Sequence, residues 1–130
     1  MTPTKRNKII YWIATLWLAL GMISTAIVQL IQMEEEVTMI IELGFPPYLL
    51  IILGIWKILG VIAVLVPKFP LVKEWAYAGF FFIMTGAVIS HIVVGDEATT
   101  LFGPLLLLVL TVTSWYFRPE ERKISAAKEL

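Results

Sequence analysis

Few side chains in this sequence can do chemistry, and their types narrow what that chemistry is. The 130 residues hold a single histidine, His91, no cysteine, and one lysine, Lys57, inside an otherwise apolar stretch. An ammonium group kept from bulk water can donate to a ligand oxygen or exchange a proton. A histidine suits a proton relay or a hydrogen bond to a quinone-like carbonyl. Without cysteine the chain forms no disulfide, thiolate nucleophile or iron–sulfur cluster, and one histidine cannot make a bis-histidine haem or a multi-histidine metal site. No metal is expected, and redox chemistry would have to enter with a bound cofactor or a partner. There is no phosphate loop, hydrolase elbow or zinc motif.

Lys57 sits nine residues after Tyr48 and nine before Val66. In a helix that is about 13–14 Å from either end, near the midplane of a bilayer. A lysine at that depth costs about 2.5–3.5 kcal/mol, so some interaction should offset it. Gly54, three residues earlier, and Val61, four later, leave a modestly small face that would let another helix approach. Lys57 is then either a buried cation that binds a ligand oxygen or exchanges a proton, or a neutral or carboxylate-paired group that only fixes helix packing. Glu42 and Glu74 are its possible partners, although Glu74 also fits an interfacial charge at a helix start. His91 falls near the outer interface, where headgroups or water could equally satisfy it. Gln29, Glu42, Tyr48 and His91 are expected to line an outward-facing pocket with Lys57 below, and Tyr48 and Trp56 to supply aromatic wall.

The elements that must position these groups follow from composition. Hydrophobic residues make up 59% of the chain and charged residues 15%, with a mean hydropathy of +0.88. Soluble domains are roughly 45–50% apolar and about 25% charged, so a soluble enzyme is excluded as a starting point. The net charge of zero gives no basic excess for binding nucleic acid. A membrane span takes about 20 apolar residues. Four stretches qualify, at about residues 9–31, 48–66, 75–94 and 101–117, followed by a tail at 118–130 that reads as a solvated, frayed helix. Pro46, Pro47, Pro67 and Pro70 fall between the spans, as helix-breaking residues should. The fold expected is all-α, a single-domain integral membrane four-helix bundle. Glu34 to Leu43 is expected to form a short amphipathic helix on the outer surface after the first span. A cleaved signal peptide is the competing reading of the first span, but its 23 residues exceed an apolar region of about 7–15.

Orientation follows from the charges. Nine of the ten basic residues lie before the first span, between the second and third, or after the fourth. The other two loops contain no Lys or Arg and hold six acids, Glu34, Glu35, Glu36, Glu42, Asp96 and Glu97. By the positive-inside rule both termini are cytoplasmic. Ala76, Gly79, Gly86 and Ser90 are spaced to permit close helix contact along the third span.

The stretch from Leu43 to Asp96 resembles the DoxX-like family of small bacterial membrane proteins. The resemblance is carried by Leu43-Gly44-Phe45-Pro46 with Tyr48, by Leu53-Gly54 with Trp56-Lys57-Ile58-Leu59-Gly60, and by Pro67 with Phe69-Pro70. Lys73-Glu74-Trp75-Ala76-Tyr77-Ala78-Gly79, its most specific part, and Ser90-His91 complete it. It implies a four-helix membrane bundle in the bacterial cytoplasmic (inner) membrane. The family is named after a small subunit of a thiosulfate:quinone oxidoreductase, and some relatives are linked to membrane oxidoreductase assemblies in oxidative-stress responses. The function expected is binding of an apolar or quinone-like ligand, a quinone or lipid, in support of such chemistry. Lys57 and His91 would bond its polar oxygens, and Glu42 or Glu74 would balance charge. The alternatives are a non-catalytic anchor or assembly subunit, working with a membrane oxidoreductase partner or as a homo-oligomer, and a small-solute or proton pathway.

Overall fold

A computed structural model describes residues 2–124 of the chain, and all regular structure among them is helical. Helix α1 spans Pro3–Leu30, α2 Glu34–Glu42, α3 Leu49–Leu65, α4 Pro70–Val93 and α5 Phe102–Tyr116, with short 3-10 turns at Ala98–Leu101 and Glu120–Arg122. Three segments, Pro3–Leu30, Pro70–Val93 and Ala98–Tyr116, are long and apolar enough to cross a membrane, and α3 is a shorter apolar helix.

Local chemistry explains the boundaries. Thr2 caps α1, its hydroxyl accepting from the Lys5 amide at 3.1 Å, and Pro3 occupies the first turn, where its missing N–H costs nothing. Val66 is extended ahead of Pro67, which ends α3, and Pro70 opens the first turn of α4. Helix α4 therefore starts five residues before the expected span at Trp75, because Pro70 initiates a helix as readily as it breaks one.

Helix α1 packs against α3 and α5, and α4 packs against the same two. The core joins them through Leu18, Met22, Val61, Phe80, Met84 and Leu107. Lipid tails are as apolar as these side chains, so contact between helices depends on close packing and interhelical hydrogen bonds. The interior accordingly carries hydroxyls as well as hydrocarbon: Ser114 Oγ lies 2.6 Å from Thr15 Oγ1 and 2.8 Å from Tyr77 Oη, tying α5 to α1 and α4.

Three sequence expectations change here. Gly79 and Gly86 have no atom within 4 Å of where a Cβ would stand, so this stripe does not seat a neighbouring helix of the same chain. Lys73, expected as a loop cation, is 1% exposed and donates to the carbonyls of Ala63 and Val66. The start of the tail docks: buried Arg122 donates to the Val64 carbonyl at 2.9 Å, and its guanidinium lies 5.0 Å from the Trp12 ring. Both cations satisfy C-terminal carbonyls of α3 that have no partner within the helix, and they do so at the negative end of its dipole. Residues 125–130, the rest of the tail, lie outside the described residues.

Candidate functional site

The inward stripe of α3 runs Leu50, Gly54, Lys57, Val61 and Val64, at the alternating spacing of four and three that keeps side chains on one helical face. Lys57 is consequently 3% exposed. Its ammonium donates to Gln29 Oε1 at 2.9 Å and to Thr25 Oγ1 at 3.1 Å, both on α1. Thr25 in turn donates to the Met22 carbonyl at 3.1 Å. Among the described residues no carboxylate forms an ion pair with Lys57. Two of its three donors are thus met by neutral oxygens, the third has no protein partner among the described residues, and the Glu36 carboxylate in the same cavity wall acts on it through space without a direct contact.

Close approach of α1 and α3 makes this possible. A Cβ at Gly54 would stand 2.6 Å from Leu30 Cγ and 3.2 Å from the Ala26 carbonyl oxygen. Glycine there lets the two backbones come near enough for a lysine on one helix to reach two side chains one turn apart on the other.

Lys57 forms part of the wall of a cavity of about 480 Å³. Thr25 and Gln29 line it from α1, Glu36, Met39 and Glu42 from α2, and Met84, Ala87 and His91 from α4. Asp96, Thr100, Gly103, Pro104 and Leu107 close the side contributed by the α4–α5 connection and α5. Glu36, Met39 and Glu42 recur every third residue and so fall on one side of α2. The cavity is therefore an apolar body with a cation in its wall and carboxylates on α2 and the α4–α5 connection.

His91 is 6% exposed and its Nδ1 lies 2.6 Å from Asp96 Oδ2. The helix terminus builds this pair. Gly95 takes a left-handed φ of +77°, the Asp96 amide bonds back to the His91 carbonyl at 3.0 Å, and the Gly95 amide to that of Ile92 at 3.1 Å. This is a Schellman end, in which the chain folds back over its last turn. In the tautomer that carries its proton on Nδ1 the imidazole donates to the Asp96 carboxylate, and Nε2 is then the acceptor.

Of the residues singled out in the sequence, Gln29, Glu42, Lys57 and His91 meet around one cavity. Tyr48, Trp56 and Glu74 do not join it. Tyr48 precedes α3 and is 65% exposed. Trp56 is one position from Lys57, a rotation of about 100°, and lines an apolar groove between α3 and α4 instead. Glu74 lies near the start of α4, at the opposite end of that helix from His91, where it pairs with Arg118 at 2.9 Å and accepts from the Trp115 indole at 2.9 Å. Sequence reading missed Thr25, Glu36 and Asp96. Thr25 was accessible as the residue one turn before Gln29, and Asp96 as the residue after a helix-terminating glycine; Glu36 gave no separate signal. Among the described residues no three His, Asp or Glu side chains gather as metal ligands.

Comparison with known protein families matches residues 13–114 to the DoxX-like family. That match, together with the apolar helices, makes this a membrane protein in contact with the lipid bilayer. Neither a curated protein nor a solved structure matches the chain.

Proposed function

The chain belongs to the DoxX-like family, and from that premise we propose that it forms a four-helix bundle across a bacterial cytoplasmic membrane and binds a neutral, quinone-like ligand in the Lys57 cavity. Both termini are cytoplasmic in this reading, and the bound ligand serves membrane-associated redox or stress-response chemistry. The observation that carries the proposal is the buried ammonium of Lys57, held by Gln29 and Thr25 and by no carboxylate among the described residues. A lysine kept only for packing would be expected to neutralise its charge at so apolar a site. One held by two neutral oxygens keeps a third N–H donor for an incoming acceptor oxygen.

The other walls define the ligand class. Glu36, Glu42 and Asp96 line the same cavity, so a small anion would be repelled on its way to Lys57. A neutral molecule bearing a carbonyl oxygen avoids that repulsion, and Met39, Met84, Ala87 and Leu107 offer it apolar contact. A volume of about 480 Å³ lies within the roughly 300–1,000 Å³ of small-molecule sites. Reducing a quinone to a quinol takes two electrons and two protons. His91 and the nearby carboxylates can handle protons, whereas the electrons would come from a bound cofactor or an oxidoreductase partner, since the chain has no cysteine. Titration of the purified protein with a short-chain naphthoquinone, followed by tryptophan fluorescence, tests the reading; saturable quenching is expected, and its absence would reject it.

A second reading, an anchor or assembly subunit, is favoured by one observation. Gly79 is exposed on α4 beside Ala76, and both line an apolar groove of about 560 Å³ between α3 and α4. Small residues on an open helix face allow another transmembrane helix to dock closely.

A further inference from the structure

At the end of the molecule opposite the Lys57 cavity, a separate cleft of about 360 Å³ opens between the start of α1, the α3–α4 turn and the docked C-terminal turn. Lys8, Lys68 and Arg122 line it with Trp12, Pro67, Pro119 and Glu121. We propose that this cleft binds the phosphodiester headgroup of an anionic phospholipid, held by the ammonium groups of Lys8 and Lys68.

Charge is the first argument. Three cations face one carboxylate across the cleft, and among the described residues neither Lys8 nor Lys68 has an ion-pair partner. Arg122 is committed to the Val64, Leu65 and Val66 carbonyls, so it adds a fixed positive charge at the back of the cleft while the two lysines remain free to bind. Backbone conformation is the second argument. Lys68 and Phe69 are consecutive non-glycine residues in the left-handed region, with φ of +68° and +56°. That arrangement is sterically unfavourable for L side chains and persists where surrounding structure or function requires it. Here it forms the turn whose first member lines the cleft.

Position is the third argument. Exposed Trp12, Trp75, Trp115 and Tyr116 gather at the same end of the helices as Lys8 and Lys68, and such side chains settle at the level of lipid headgroups. Basic pockets between spans at that level recognise anionic headgroups. Glu121 is the one opposing charge among the lining residues.

The test is native mass spectrometry of the full-length protein, extracted in mild detergent and supplied with mixed phosphatidylglycerol and phosphatidylcholine. Selective retention of phosphatidylglycerol is expected. The double variant Lys8→Gln/Lys68→Gln should lose it by roughly five-fold for each lysine removed, the attraction typical of one basic residue near an anionic lipid surface. The control Lys5→Gln/Arg6→Gln, which removes the same charge outside the cleft, should retain it, and Glu121→Gln should increase it. Equal loss in both double variants, or no lipid preference in the wild-type protein, would overturn the site. So would displacement by inorganic phosphate beyond that produced by chloride at the same ionic strength, which would assign the cleft to a free anion. Circular dichroism of each variant, matching wild type, ensures that loss of lipid is not loss of fold.

Discussion

The Lys57 ammonium lies 2.9 Å from the Gln29 amide oxygen, and a neutral partner for a buried cation has a consequence for both stability and binding. Gln29→Glu would place a carboxylate where the amide oxygen now stands. The new ion pair should raise the midpoint of thermal unfolding in detergent, because it neutralises a charge that is already buried. It should also weaken naphthoquinone binding by roughly ten-fold or more, the equivalent of one hydrogen bond to a charged group at about 1.5–3 kcal/mol. A variant that is stabilised yet binds as wild type would separate Lys57 from the ligand.

The Asp96 carboxylate against His91 Nδ1 makes Asp96 a positioning residue for the imidazole. Nitrogen NMR of the ring at neutral pH is expected to show the Nδ1–H tautomer in the wild type and a mixture of tautomers in Asp96→Asn. Helix content should not change, since the backbone bonds of the α4 terminus do not use the carboxylate.

Lys73 and Arg122 together satisfy the last carbonyls of α3. Replacing either with methionine keeps most of the side-chain volume and removes the donors. Each change should cost about 1–3 kcal/mol, the penalty of leaving buried polar groups unsatisfied. Thermal unfolding in detergent measures the cost, and faster proteolysis at residues 66–69 is the expected local sign.

A chain with no cysteine is a ready background for mapping orientation. With both termini cytoplasmic, Thr99→Cys should react with a membrane-impermeant maleimide on intact cells, and Lys5→Cys should react only after lysis. The reverse pattern would invert the proposed topology.

Much of this architecture was legible because it rests on few physical quantities. The apolar helices and the prolines between them each register in the order of residues. Gln29, Lys57 and His91 could be grouped because depth along a helix follows from counting, whereas Glu42 joined them only as part of the outer surface segment. What counting does not supply is rotation and return. Trp56 is one position from Lys57 and faces a different way, and Glu74, at the helix start where counting puts it, meets Arg118 and Trp115 and not Lys57. The His91–Asp96 pair depends on a chain reversal at Gly95, and the burial of Lys73 and Arg122 on carbonyls left at the end of another helix. Those are tertiary returns of the chain, and hydropathy, which reads each segment alone, has no access to them.

That Lys57 is an available donor to a ligand and not a packing device is tested by naphthoquinone titration of wild type against Lys57→Leu. The leucine variant removes the donor and the buried charge while keeping an apolar side chain of similar girth. A folded protein that has lost saturable binding is expected. A Lys57→Leu protein that binds the quinone with wild-type affinity would contradict it.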